Sequence, residues 1–219
     1  MTIDYAKARE TMVEQQVRPW DVFEPRVLET LARLPRERFV AEAHRALAYS
    51  DLALPIGHGE SMMKPVLEGR VLQALSIAAS EDVLEIGSGS GYLTACFGSL
   101  ARDVVGLERH ADLALAARDR LQTQGIGNVR IDAVDAFGWD SDRRFDAICV
   151  GGATATVPSQ FLQWLRPEGR MFVVYGNAPA MQAVLVRHAD NAAGHQIESL
   201  FETELPYLLG AAPIPRFQL

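Results

Sequence analysis

The sequence predicts an α/β fold: a doubly wound, mostly parallel sheet with an N-terminal helical cap and a C-terminal antiparallel hairpin. Three observations predict it. From residue 83 onward, short apolar strands alternate with helical stretches, the pattern of parallel strands joined by right-handed crossovers. The first strand, 83–86, runs straight into Gly87-Ser88-Gly89-Ser90-Gly91-Tyr92 and then a helix start at Leu93-Thr94-Ala95-Cys96. Near the C-terminus, Asp190-Asn191-Ala192-Ala193-Gly194 is a hairpin turn between two strands, 183–188 and 195–205.

Taken in order, residues 4–16 form a charged helix with Met12 and Val13 on its buried face, broken by Arg18-Pro19-Trp20. Val27, Leu28, Leu31 and Leu34 follow helical spacing, so 24–33 is a second amphipathic helix, ended by Pro35. Leu54-Pro55-Ile56-Gly57-His58-Gly59-Glu60-Ser61-Met62-Met63-Lys64-Pro65 is a loop before a helix over 66–79, with Pro65 suited to its first turn. Such a loop lies over a bound ligand, or is a connector whose methionines fill gaps in the core. Strands follow at 83–86, 103–108, 128–132, 145–150 and 169–175, with helices near 92–100, 112–124 and 158–165. Residues 1–64 are expected to be a cap and substrate-side loop packed on a ligand-binding domain over 65–219, one compact unit overall.

Composition narrows the function. The chain has 219 residues, a formal charge of −7 and 48% hydrophobic residues, enough for one full α/β domain with an extension. The acidity argues against a nucleic-acid substrate, which favours a basic groove. No apolar run is long enough to span a bilayer, and the charged first ten residues carry no signal-peptide core. Cys96 and Cys149 fall in apolar helix and strand patterns and read as reduced core residues, so a cytoplasmic location is expected.

A strand turning through glycines into a helix binds nucleotide-like ligands. Glycine permits the sharp turn and close approach, and the helix start offers unpaired N–H groups. Tyr92 at the sixth position departs from the dinucleotide fingerprint, and no Gly-Lys-Ser/Thr follows as a P-loop requires. With Glu85 two positions before the first glycine, E-x-G-x-G-x-G resembles motif I of the class I S-adenosylmethionine (SAM) methyltransferases, a Rossmann-like fold. The candidate cofactor residues here are Glu85, Gly87, Ser88, Gly89, Gly91 and Tyr92. The second strand ends in Glu108, followed by Arg109, at the crevice beside the glycine turn. A carboxylate there accepts two hydrogen bonds from a ribose diol, or caps the helix starting near Asp112. Asp135-Ala136, after the third strand, can receive an adenine amino group or simply form a loop. Gly151-Gly152-Ala153 leaves room for a reacting group, or ends a strand.

Along nearly its whole length the chain resembles the protein-L-isoaspartate O-methyltransferases. The matching pieces are Met12-Val13-Glu14-Gln15-Gln16-Val17-Arg18, Leu34-Pro35-Arg36-Glu37-Arg38-Phe39-Val40, Ala48-Tyr49-Ser50-Asp51 and Leu54-Pro55-Ile56-Gly57. Others are Val27-Leu28, the glycine motif, Phe145-Asp146-Ala147-Ile148 and Val157-Pro158. The resemblance implies a SAM-dependent enzyme, releasing S-adenosyl-L-homocysteine, that methylates the carboxylate of isoaspartyl residues in proteins or peptides and so starts their repair. Where the family carries Thr-Ile-Ser-Gln-Pro, with the serine as its catalytic residue, this chain has Ser61-Met62-Met63-Lys64-Pro65. Met63 holds the serine position and Ser61 the threonine position, and both are candidate catalytic positions. Asp135-Ala136 lacks the family's Gly-Asp-Gly setting, and Gly151-Gly152-Ala153 replaces Thr-Ala-Ala.

Methyl transfer from a sulfonium is an in-line displacement, so the enzyme mainly brings nucleophile and methyl group together. A carboxylate is already ionised at neutral pH and needs no strong base. An amine or phenol acceptor needs one nearby, and His58 and Glu60 are the loop candidates. The alternative to isoaspartyl methylation is a SAM-binding, methyltransferase-like protein with another acceptor or little isoaspartyl turnover. The sequence leaves the oligomeric state open.

Overall fold

The computed structural model describes residues 3–188 and 194–214. The elements in chain order are α1 (Tyr5–Met12), α2 (Pro25–Arg33), β1 (Leu54–Gly57), β2 (Glu60–Met62), α3 (Pro65–Leu75), β3 (Asp82–Ile86) and α4 (Tyr92–Leu100). Then come β4 (Asp103–Glu108), α5 (Ala111–Thr123), β5 (Val129–Ala133), β6 (Phe145–Thr154), α6 (Ser159–Leu162), β7 (Leu165–Asn177), β8 (Ala180–His188) and β9 (His195–Thr203). The main sheet has seven strands in the order β5-β4-β3-β6-β7-β8-β9. β5 to β7 run parallel, and β8 and β9 close the edge antiparallel. The chain winds outward from β3 to β5, then returns to place β6 on the other side of β3. The carboxyl ends of β3 and β6 therefore form the topological switch point, where doubly wound sheets bind ligands.

Strand alternation builds two cores. Val83, Val104, Cys149, Phe172 and Val174 face one side, where they join residues from α2 to α5. Leu84, Ile86, Leu107, Val150 and Val173 face the other, under a thinner layer that includes Phe161 and Trp164. Among the described residues, that second face carries the four-residue α6 and a short 3₁₀ turn over Ala136–Gly138. Stacked and edge-on aromatic rings fill the space: Trp139 against Trp164 at 4.8 Å and Phe161 against Trp164 at 5.6 Å.

Several element boundaries differ from the sequence expectation, each for a local reason. The first helix stops at Met12 and continues as a π turn over Val13–Val17, which brings Val13 and Val17 into the core, and then as a 3₁₀ turn over Arg18–Trp20. The third ends at Leu75, because Ser76 adopts a left-handed conformation at φ 45°. β6 runs four residues past Val150, through a register irregularity between Cys149 and Ala153. The helix expected over 158–165 is cut to Ser159–Leu162, since Leu165 already pairs with Phe145. Residues 54–62, expected as a loop, form a β-hairpin with Gly57, His58 and Gly59 all at positive φ. Of the expected turn at 190–194, residues 190–193 lie outside the described residues; the strands flanking it are antiparallel.

The N-terminal segments share a core with α3 and α4: Met12, Val17, Leu31 and Leu72 belong to one buried cluster. Arg26 donates to the carbonyls of Ile77 and Leu100, at 2.8 and 3.1 Å. Arg36 is wholly buried and gathers three segments. It donates to Ala48 O at 2.8 Å, to Met63 O at 2.7 Å and to both Glu68 carboxylate oxygens at 2.6 Å. Burial pushes the Glu68 carboxyl upward, and the Arg36 charge opposes it.

Candidate cofactor and acceptor site

At the switch point β3 gives way to the glycine turn. The N–H groups of Gly87 and Ser88 donate to Leu107 O at 2.8 and 3.1 Å, so the turn stays fastened to β4. Glu108 completes the fastening: its Oε2 accepts from Gly89 N–H and its Oε1 from His110 N–H, both at 2.9 Å. Each carboxylate oxygen keeps a further lone pair. The residue is almost buried yet borders a cavity of about 680 Å³, within the range for small-molecule sites.

The structure divides the sequence-predicted residues. Gly87, Gly89, Glu108 and Arg109 border the cavity, as do Asp135, Ala136 and Gly151. Ser61 and Met63 border it from the hairpin and the segment before α3. Four others do not border it. Ser88 is buried against β4, where a Cβ on Gly106 would lie 2.2 Å from its Oγ. Gly91 opens α4 beside Ala117 of α5. Tyr92 is buried edge-on to Phe39 at 5.5 Å, with the Arg36 guanidinium 4.9 Å from its ring centre. Glu85 is fully buried and accepts a hydrogen bond from Thr94 Oγ1, and burial pushes its carboxyl up to about 8.

Asp135 caps the 3₁₀ turn by accepting from Phe137 N–H at 3.0 Å, and its other oxygen lies 3.6 Å from Arg109. The hairpin crosses the glycine turn: a Cβ on Gly89, itself at φ 51°, would come within 2.9 Å of Ile56 Cδ1. At the tip His58 approaches the Asp112 carboxylate at 2.9 Å and stacks on His110 with ring centres 4.0 Å apart. The His58 contact holds the Asp112 carboxyl below its ordinary range. His58, the candidate base, is thus engaged at the hairpin tip and does not border the cavity, whereas Glu60 does.

No sequence pattern marks the far wall. After β9, residues 204–211 fold back along the end of β6. Ala153 N–H donates to Pro206 O at 2.7 Å, Leu208 N–H to Ala153 O at 2.9 Å and Ala155 N–H to Ala211 O at 2.8 Å. This return brings Leu205, Tyr207 and Leu208 to the cavity. It also explains Gly152, where a Cβ would sit 2.8 Å from Leu208 Cδ2; at Gly151 a Cβ would instead meet the carbonyl oxygens of Ile86 and Gly87, each at 2.8 Å. Pro206, three residues past the end of β9, is the one local signal. Arg70 of α3 also borders the cavity and had no sequence signature.

The donors and acceptors fit a nucleoside carrying an amino acid. A carboxylate with free lone pairs faces the crevice, two glycines open the backbone, and the cavity has room beyond a nucleoside. Known proteins agree. The family model for protein-L-isoaspartate(D-aspartate) O-methyltransferase matches residues 7–203. A protein-L-isoaspartate O-methyltransferase 1 from Syntrophobacter fumaroxidans is 37% identical over 194 residues, covering 88% of this chain and 91% of that protein. The Myxococcus xanthus protein-L-isoaspartate O-methyltransferase is 39% identical over 188 residues, covering 84% and 89% respectively. A Plasmodium falciparum structure, described as a protein-L-isoaspartate O-methyltransferase in complex with S-adenosyl-L-homocysteine, superposes with a TM-score of 0.79. It shares 20% identity and covers 94% of this chain and 99% of that one, which supports the fold. The chain belongs to the protein-L-isoaspartate O-methyltransferase family.

Proposed function

We propose that this protein transfers a methyl group from SAM to the free carboxylate of isoaspartyl residues in proteins or peptides. The observation that carries the reading is Glu108, a nearly buried carboxylate held by two backbone N–H groups at the wall of a 680 Å³ cavity, in a chain of this family. When bound, SAM supplies an electrophilic methyl group on a positively charged sulfur. Glu108 accepts from the two ribose hydroxyls, and Gly87 and Gly89 let the ligand rest on the backbone. Asp135 receives the adenine amino group, with Arg109 fixing its carboxylate. Gly151 keeps the end of β6 low beside the acceptor. The remaining named residues, Glu85, Ser88, Gly91 and Tyr92, support the turn from behind. Residues 1–64 act as the substrate-side cap over the cofactor domain 65–219. The two cysteines, free and buried, fit a reducing cytosol.

The acceptor chemistry asks for orientation and exclusion of water, since the nucleophile is ionised at neutral pH. Ser61 lies opposite Pro55 in the hairpin and offers a hydroxyl at the cavity; Met63 offers none. Met63 favours a second reading, a SAM-binding protein with a different acceptor. Labelled SAM offered with paired isoaspartyl and aspartyl peptides separates the two, with label expected on the isoaspartyl peptide alone. S-Adenosyl-L-homocysteine binding without label on either peptide would sink the isoaspartyl assignment. In the same assay Met63→Ser is expected to raise kcat/KM severalfold, and no gain would place the limitation elsewhere.

A further inference from the structure

An anionic acceptor must be held in place, and the motif residue that would donate to it is a methionine here. Among the described residues, three lysine or arginine side chains border the cavity: Lys64, Arg70 and Arg109. Arg109 is taken up by Asp135 at 3.6 Å, on the cofactor side. Lys64 is solvent-exposed before the first turn of α3. Arg70 differs from both. It is half-buried, and its guanidinium carbon lies 3.8 Å from the centre of the Phe201 ring. Among the described residues no hydrogen bond or ion pair to Arg70 is formed. Glu202 and Glu204 border the same cavity, and neither pairs with it.

Stacking on an aromatic ring fixes the plane of a guanidinium and removes water from one face, but leaves its in-plane N–H groups unused. Those groups match a carboxylate, two parallel hydrogen bonds at a time. Its position suits the task. Val66, Leu67 and Arg70 of α3 border the cavity together, and Met63 lies just before that helix. Phe201 is on β9, shortly before the return segment that supplies Leu205 and Tyr207 to the same wall.

We propose that Arg70, laid over Phe201, is the positioning residue for the acceptor's carboxylate, in place of the hydroxyl that Met63 lacks. The inference rests on the isoaspartyl reading above. Arg70 orients the acceptor and selects carboxylate over carboxamide; it takes no proton.

The test uses the full chain saturated with S-adenosyl-L-homocysteine. A fluorescent isoaspartyl hexapeptide and its α-carboxamide counterpart are titrated by anisotropy. Wild type is expected to bind the carboxylate peptide at least about tenfold tighter, a gap typical of one charge-assisted pair. R70Q is expected to bring that ratio near one with S-adenosyl-L-homocysteine affinity unchanged, and R70K to keep an intermediate ratio. In turnover the R70Q defect is expected in KM more than in kcat. If R70Q loses S-adenosyl-L-homocysteine binding, R70M, which keeps the stem over Phe201, decides by the same ratio. A full tenfold preference retained in the variant overturns the role of Arg70 and leaves the acceptor assignment standing. No preference in wild type overturns both.

Discussion

Two carboxylates a short distance apart in the fold do opposite work. Glu108 is held by two backbone donors at the edge of the cavity, while Glu85 is sealed behind the glycine turn. Replacing Glu108 by alanine leaves the Gly89 and His110 N–H groups without their acceptor and, on the proposed ribose role, the ligand hydroxyls as well. S-Adenosyl-L-homocysteine binding is expected to weaken by about 1–3 kcal/mol, roughly 5- to 150-fold, in calorimetry. An unchanged dissociation constant would remove Glu108 from the ribose site. Glu85 makes a different prediction. Burial raises its folded pKa to about 8, above the ordinary 4.5, so the folded state holds a proton that the unfolded state has released. The associated stability is complete below pH 4.5 and is lost as pH rises toward 8. Glu85→Gln carries no such proton. Wild type is therefore expected to lose stability relative to Glu85→Gln between pH 5 and pH 8 in denaturant titrations, and parallel curves would show the carboxyl ionised in the folded protein.

Among the elements, the hairpin β1–β2 shows where sequence reading stops. The alternation of strands and helices, the glycine turn and the acid ending the second strand were all legible, because each is a local pattern with a period or a spacing. The hairpin was not: Pro55 and three consecutive residues at positive φ hide a strand pair of four and three residues. Arg36, Arg70 and the return segment after β9 were unreadable for another reason, since their partners are distant in the chain and no spacing marks them. The hairpin's contact with the glycine turn can be tested directly. A methyl group at Gly89 would meet Ile56 Cδ1 at 2.9 Å and would also strain a residue at φ 51°. Gly89→Ala is expected to lower S-adenosyl-L-homocysteine affinity at least about tenfold. Adding Ile56→Ala should recover part of that loss by relieving the clash but not the backbone strain. Strict additivity of the two changes would mean that the hairpin does not rest on the turn.

At the scale of the whole molecule, the parallel sheet separates chemistry from anchoring. The cavity lies at the carboxyl ends of the strands, and the opposite end is tied by a charge hub. There Asp82, at the start of β3, receives Arg102 at 2.8 and 2.9 Å and Arg166 at 2.8 Å, with Arg143 at 3.6 Å. The Arg102 hydrogen bonds, followed by the one from Arg166, hold the Asp82 carboxyl down to about 2, against an ordinary 3.8. A depressed carboxyl contributes stability that is complete above pH 3.8 and disappears as pH falls through about 2. The hub joins β3, the segment before β4, the segment before β6 and β7, so its protonation loosens the sheet at the end remote from the cavity. Asp82→Asn should be less stable than wild type at neutral pH, with the difference shrinking as pH drops from 4 toward 2. S-Adenosyl-L-homocysteine affinity at pH 7 should stay as in wild type, because none of these residues borders the cavity. A constant stability difference across that acid range would show that Asp82 acts through shape rather than charge.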